Sequence, residues 1–390
     1  MKHFPFIILL VITPTFAQTP ANEGRVLKAL PLDFEETQPP AAPAAPAPAT
    51  VFQALPVEPV ATTKPPVVPT PGTSAIPSID QKPIGDDAVR LQIFLDQANF
   101  GPGVIDGRIG QFTELAVKCW NENHGHPLNS WRAANIAARE AVPNPYAVAI
   151  VPDVVAKWVN PNLSYKKQDQ VKAKQMSYRS NGEFMSERYH TDETFLVKLN
   201  KMVKIENLKP HDTIMVPNVK AFEIENLTGA AFKQDEALSQ RHAVVDTKLY
   251  QVRIYEANLR ALVVADPDAP ASVANQSLIA AFPITPGQPQ FIRYGKWEMR
   301  SAVELPVWRY DQQLLDTGKR SNDSLDIPGG PNNPVGVLWC GLSKPGIGMH
   351  GTSDPETIGR ARSHGCIRLA NWDIVRIPGL LRPGCSVEIR

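Results

Sequence analysis

The chain reads as a multidomain α+β protein, and three features of its 390 residues predict this. A long proline-rich stretch separates the N-terminus from everything able to fold. Two short helix-patterned segments follow, at residues 85–125 and 178–219. From about residue 240 the pattern changes to β-branched and aromatic runs broken by short turns. The length suits two or three domains of ordinary size. A net charge of +1 and a pI near 7.7 give no basic excess of the kind a nucleic acid partner requires, so no nucleic acid is expected.

The first residues carry a targeting pattern. Met1-Lys2-His3 is a short positive start, residues 4–12 are apolar but far short of the roughly 20 residues needed to span a bilayer, and Thr15-Phe16-Ala17 offers small residues for cleavage. Residues 1–17 are therefore expected to be a secretory signal peptide and the mature protein to be exported, to periplasm or cell wall, without stable membrane insertion. Of the 38 prolines, 15 lie between Pro20 and Pro83, mixed with alanine, threonine and valine. Residues 18–84 are read as a disordered, semi-rigid tether with too little apolar content for a core.

Order is expected from Asp86-Asp87, either of which can cap a helix carrying Val89, Leu91, Phe94 and Leu95. A turn at Gly101-Pro102-Gly103 and Asp106-Gly107 leads to a second helix on Leu115, Ala116, Cys119 and Trp120. His124 and His126 lack a third ligand, so no metal is expected there. Residues 126–177 are a connector of unassigned structure, apart from a helical run over residues 133–139 that Pro143 and Pro145 stop. In 178–219, Phe184, Met185 and Tyr189 mark one helix. Thr191 is placed to cap a second that carries Phe195, Leu196 and Leu199, and a turn then enters a short strand. In 240–390, the runs 242–246, 249–255, 261–264 and 279–284 predict a mainly-β sandwich or barrel-like core, with Trp297, Trp308 and Trp339 either packing in it or rimming the cleft, the core being the expected place for each.

The chemistry sits near the C-terminus. Cys366 is preceded by His364 and, on a separate segment, by His350. Thiolate is the nucleophilic form of cysteine, and an imidazole can take its proton. His364 is tied to the same bend as the sulfur, whereas His350 can be aimed independently, which makes His350 the expected base. Gly365 permits a tight turn that can point backbone N–H groups at one spot, as an oxyanion hole requires.

The order His350-Gly351, eleven residues, Ser363-His364-Gly365-Cys366, one residue, Arg368 resembles the signature of the YkuD-type L,D-transpeptidases of peptidoglycan. The run Pro328-Gly329-Gly330-Pro331-Asn332-Asn333-Pro334 and Trp339 resembles that family's approach to its first histidine. Residues 85–125 resemble a small helical peptidoglycan-binding module, and residues 178–219 resemble LysM, a βααβ module that binds glycan. The resemblance implies that Cys366 attacks a tetrapeptide stem, that D-alanine leaves, and that an amine from a second stem resolves the thioester. It implies His350 as base, the Gly351 carbonyl as its orienting group, and Ser363, His364, Gly365 and Arg368 as the oxyanion and substrate-binding set, with no metal and no cofactor. Arg368 either holds a substrate carboxylate or pairs with a structural acid. The partner implied is peptidoglycan, and the wall-binding modules are expected to work apart from the catalytic domain.

Rival readings are an L,D-carboxypeptidase, an enzyme that joins proteins to the wall or releases them, and a non-catalytic wall-binding scaffold. Once Cys366 is reserved as nucleophile, Cys340 and Cys385 are candidates to pair and Cys119 is expected to be buried. The helix starting at Asn371 is expected to end within about two turns, at Ile377-Pro378-Gly379.

Overall fold

The computed structural model describes residues 79–256, 277–313, 321–360 and 365–390. The expected signal peptide, all but the end of the proline-rich tether, the run 261–264, Ser363 and His364 lie outside the described residues.

Helices come first. Helix α1 (Asp86–Gln97) buries Val89, Leu91, Ile93 and Leu95, and α2 (Gln111–Asn123) buries Ala116, Val117, Cys119 and Trp120. Neither Asp86 nor Asp87 caps α1. Gly85 occupies the cap, while Asp87 accepts from Arg139 at 2.7 Å and pairs with Arg90. The unit runs past residue 125, because a third helix, α3 (Trp131–Ala141), lies along α1 and ends two residues before Pro143.

The expected connector holds a strand. β1 (Tyr146–Ile150) is followed by two single-turn helices, α4 (Val155–Trp158) and α5 (Lys167–Gln170), then α6 (Asn181–Arg188) and α7 (Glu193–Leu199). β1 pairs antiparallel with β2 (Thr213–Pro217), Tyr146 opposite Pro217. The pair brackets α6 and α7 together with the two single-turn helices before them, so that, those two single turns set aside, the order is β-α-α-β, with the first strand far upstream of residue 178. Sequence spacing hides this, since some 30 residues separate β1 from α6. The cap of α7 is Asp192, whose carboxylate accepts from the Phe195 amide at 2.6 Å; Thr191 instead donates to the Ile105 carbonyl at 2.7 Å.

The C-terminal part is β-rich, as expected. Its strands are β3 (Ala231–Phe232), β4 (His242–Asp246), β5 (Gln251–Glu256), β6 (Ser277–Pro283), β7 (Gly295–Glu304), a separate hairpin pair β8 (Trp308–Tyr310) and β9 (Leu325–Ile327), β10 (Leu338–Leu342), β11 (Gly348–His350), β12 (Ile367–Arg368) and β13 (Ser386–Ile389). The main sheet runs β12-β11-β10-β7-β13-β4-β5-β6, with β3 added beside β7. Its two edges meet: Thr285, just past β6, exchanges backbone hydrogen bonds of 2.9 and 3.0 Å with Arg368 of β12. The sheet is thus curled into a barrel-like wall, and the seam falls at the sequence signature. After β12 the short helix α8 (Asn371–Ile374) ends within two turns as expected, but before Pro378, which instead sits in the first turn of a second short helix, α9 (Ile377–Leu380).

The parts share cores. Leu91, Leu95, Phe100, Ala116 and Val117 pack with Val244, Tyr255, Leu278 and Ala281 of the sheet. Phe184, Met185 and Leu196 belong to one buried cluster with Met349, Ile367 and Trp372. Between them the Asp96 carboxylate accepts from Arg376 at 2.8 Å and lies 3.1 Å from His190 Nδ1, whose ring stacks on Trp372. Burial alone pushes that carboxyl up, but the Arg376 charge and His190 hold it far below the usual carboxylate range. The expectation of modules standing apart from the catalytic domain is therefore corrected: they are packed into its walls. Cys340 and Cys385 are also not joined; both are buried thiols, as is Cys119, which donates to Gln251.

Candidate active site

β11 and β12 are parallel, with Met349 opposite Ile367 and His350 opposite Arg368. Met349 and Ile367 are fully buried in the core. Since side chains alternate along a strand, His350, Arg368 and, one step before β12, Cys366 belong to the other face. Two segments separated by 15 residues thereby bring the thiol, imidazole and guanidinium to one sheet edge.

His350 is buried, and its Nδ1 lies 2.7 Å from the Gly351 carbonyl oxygen. A carbonyl only accepts, so Nδ1 carries the proton and Nε2 is left as the basic nitrogen. The ring stacks on Trp339, its partner in β10, with centroids 5.6 Å apart and planes 17° from parallel. That indole fits because glycines lie beneath it. A Cβ on Gly348 meets the Trp339 ring at 2.8 Å, and one on Gly341 meets its Nε1 at 2.9 Å. Burial pushes the imidazole down to about 4, Arg368 adds to this, and the Gly351 carbonyl opposes it. At neutral pH the ring is uncharged and able to accept a proton.

Cys366 is partly exposed, and its Sγ donates to the Gly346 carbonyl at 3.4 Å. Burial pushes the thiol up to about 11, against the pull of the Gly348 backbone and Arg368. The resting groups are therefore a thiol and a neutral imidazole on one sheet edge. Such a pair moves its proton as a bond to sulfur forms, by general-base catalysis, and needs no standing thiolate.

Gly365 has φ of +110°, where a glycine is needed, and it touches the loop after β6: a Cβ on Gly287 falls 2.4 Å from the Gly365 Cα. Thr285 of the same loop also accepts from the Gly359 amide at 2.9 Å through its hydroxyl. Arg368 is half-buried, which pulls its pKa down, while the Asp354 charge opposes this. No described acid forms an ion pair with its guanidinium.

Of the residues singled out from sequence, His350, Gly351, Gly365, Cys366 and Arg368 are gathered here, while Ser363 and His364 lie outside the described residues. Three contributors escaped. Trp339, expected in the core or at the cleft rim, is buried and stacks on His350, a contact that the sequence did not specify. Asn371 was read only as a helix start, and Gly287 carried no signal. Their roles come from contacts across the fold, which no local pattern encodes.

Residues 260–389 match the family model of the L,D-transpeptidase catalytic domain, YkuD. This region is a YkuD-type catalytic domain. Among curated relatives, YkuD of Bacillus subtilis, a candidate L,D-transpeptidase by its name, is 42% identical over 59 residues, which are 15% of this chain and 36% of that protein. A candidate L,D-transpeptidase from the ATP synthase region of Fuscovulum blasticum is 35% identical over 95 residues, 24% of this chain and 49% of that protein. The chain thus spans between about a third and a half of the length of these relatives. Among solved structures, L,D-transpeptidase 3 of Mycobacterium tuberculosis with a faropenem-derived adduct is 14% identical, with 47% of this chain and 76% of that one covered and a TM-score of 0.27.

Proposed function

We propose that the protein is an exported L,D-transpeptidase that cross-links peptidoglycan through a thioester on Cys366. The observation that carries this reading is the shared sheet edge on which His350, fixed as its Nδ1–H tautomer by Gly351, stands with Cys366 and Arg368. In the proposed cycle the thiol sulfur adds to the carbonyl of residue three of a tetrapeptide stem, and its proton passes to His350 Nε2. The tetrahedral intermediate collapses, the proton goes to the departing D-alanine amine, and a thioester remains. An amine of a second stem attacks, His350 takes its proton, and Cys366 leaves as thiol. Ser363, His364 and Gly365 are proposed to line the oxyanion pocket. Arg368, with no described acid paired to it, is proposed to hold a stem carboxylate. The helical unit and the βααβ unit are proposed to bind the wall.

Intact-mass analysis with a carbapenem tests the site: one covalent adduct on the wild-type chain and none on Cys366→Ser is expected. An adduct on the serine variant, or none on the wild type, overturns it. Products from tetrapeptide stems then separate cross-linking from hydrolysis, since a carboxypeptidase yields only the shortened stem.

A further inference from the structure

Asn371, three residues beyond β12, is completely buried and joins the two segments of the site. Its carboxamide oxygen accepts from the Val337 amide at 3.2 Å and is wedged between two backbones: a Cβ on Gly351 falls 2.1 Å from it, and one on Gly336 falls 2.3 Å away. Gly351 is the residue whose carbonyl fixes the His350 tautomer. The other end of Asn371 donates to Glu187 Oε1 at 2.9 Å and, more weakly, to the Pro331 carbonyl at 3.4 Å. Glu187 belongs to α6, in the βααβ unit and 163 residues before His350 in the chain. It is buried, and its second oxygen accepts from the Tyr178 hydroxyl.

We propose that Glu187 is a positioning residue for the His350 imidazole, acting through Asn371 and Gly351. This rests on the reading of His350 as the base. The physical reason is the amide's freedom to turn. With Glu187 in place, Asn371 keeps its oxygen toward Val337 and Gly351. Without it, the Asn371 nitrogen retains only the longer bond to Pro331, and the oxygen that braces Gly351 is no longer held in one orientation. Small displacements of a general base cost large factors in rate. Burial pushes the Glu187 carboxyl up to about 8, so it is mainly protonated at neutral pH, and glutamine is its close mimic: the amide oxygen still accepts from Asn371, while the amide nitrogen takes the place of Oε2, and the Tyr178 hydroxyl, which donates to that oxygen in the wild type, turns to accept from the nitrogen.

The test uses the full chain and carbapenem acylation, with the acylation rate constant at saturation separated from the concentration giving half that rate. Glu187→Ala is expected to lower the rate constant at least about tenfold with the half-saturation concentration little changed, and Glu187→Gln to stay within about threefold of wild type. A folded Glu187→Ala chain acylated at the wild-type rate overturns the proposal, as does a glutamine variant that fails as badly as alanine. If the alanine variant does not fold, Glu187→Asp, which withdraws the carboxyl from Asn371 by one methylene, takes its place under the same criteria. The NMR signal of the His350 Nδ1–H proton is the second readout. It is expected to shift or broaden in the alanine or aspartate variant and to persist in the glutamine one, and an unmoved signal overturns the proposal. If the wild-type chain forms no adduct, the functional reading falls on that result alone, while the proton signal still decides the positioning.

Discussion

At the scale of single residues, the electrostatics of the site set its pH response. In the proposed mechanism the competent state has a neutral His350, present above about 4, and a protonated Cys366, present below about 11. Acylation by a carbapenem is therefore expected to be level from roughly pH 5 to pH 10. A stable thiolate–imidazolium pair requires the opposite order of the two values, and a tenfold fall between about pH 6 and 9 contradicts the thiol–imidazole state. His350→Ala and Cys366→Ser should each reduce acylation by a factor of about a thousand or more, because nucleophile and base act as one unit. Near-normal rates in either variant remove the assignment. Gly351→Ala tests the packing behind the base. Its Cβ falls 2.1 Å from the Asn371 oxygen, so a loss of about 1–3 kcal/mol is expected in denaturant unfolding, with acylation slowed.

At the scale of elements, α6 meets α8 through Glu187 and Asn371, and this contact has a pH signature. Burial pushes Glu187 up from 4.5 to about 8, the nearby Glu183 and Glu356 act in the same direction, and the bonds from Tyr178 and Asn371 oppose it. The folded state thus binds this proton more tightly than the unfolded chain. Its stability contribution is complete below about 4.5 and is lost as pH rises through about 8. The wild-type chain is expected to lose stability relative to Glu187→Gln across that window, with a slope of up to about 1.4 kcal/mol per pH unit. Parallel pH–stability curves for the two chains contradict the buried, protonated carboxyl. The α7 cap is a simpler case: Asp192 carries out the role that residue type alone assigned equally well to Thr191, because only Asp192 faces the Phe195 amide.

At the scale of the whole molecule, the helical and βααβ units form part of the catalytic domain's support. The hydrophobic contacts of Leu91, Leu95, Phe100 and Ala116 cover Val244, Tyr255, Leu278 and Ala281. Uncovering large side chains such as these costs about 1.5–3 kcal/mol each. A fragment restricted to residues 240–390 is therefore expected to be poorly soluble or unfolded by circular dichroism and unreactive toward a carbapenem. A folded fragment acylated at the full-length rate shows that the shared core is dispensable.

What the sequence determined by itself was whatever is encoded locally. The thiol and histidine signature, the β-rich pattern after residue 240, and the short helices α1, α2, α6 and α7 each depend on spacing, residue type or backbone restraint within a few positions. The tertiary structure alone decided which distant groups meet. β1 finds β2 across more than 60 residues, Thr285 closes the sheet onto Arg368, and Glu187 reaches Asn371 across 184. These pairings are selected by burial and by the need to satisfy every buried polar group, conditions that exist only once the chain has collapsed. The same condition turned Trp339 from a core residue into the surface on which His350 rests, because Gly341 and Gly348 leave room for its indole only when β10 and β11 lie side by side.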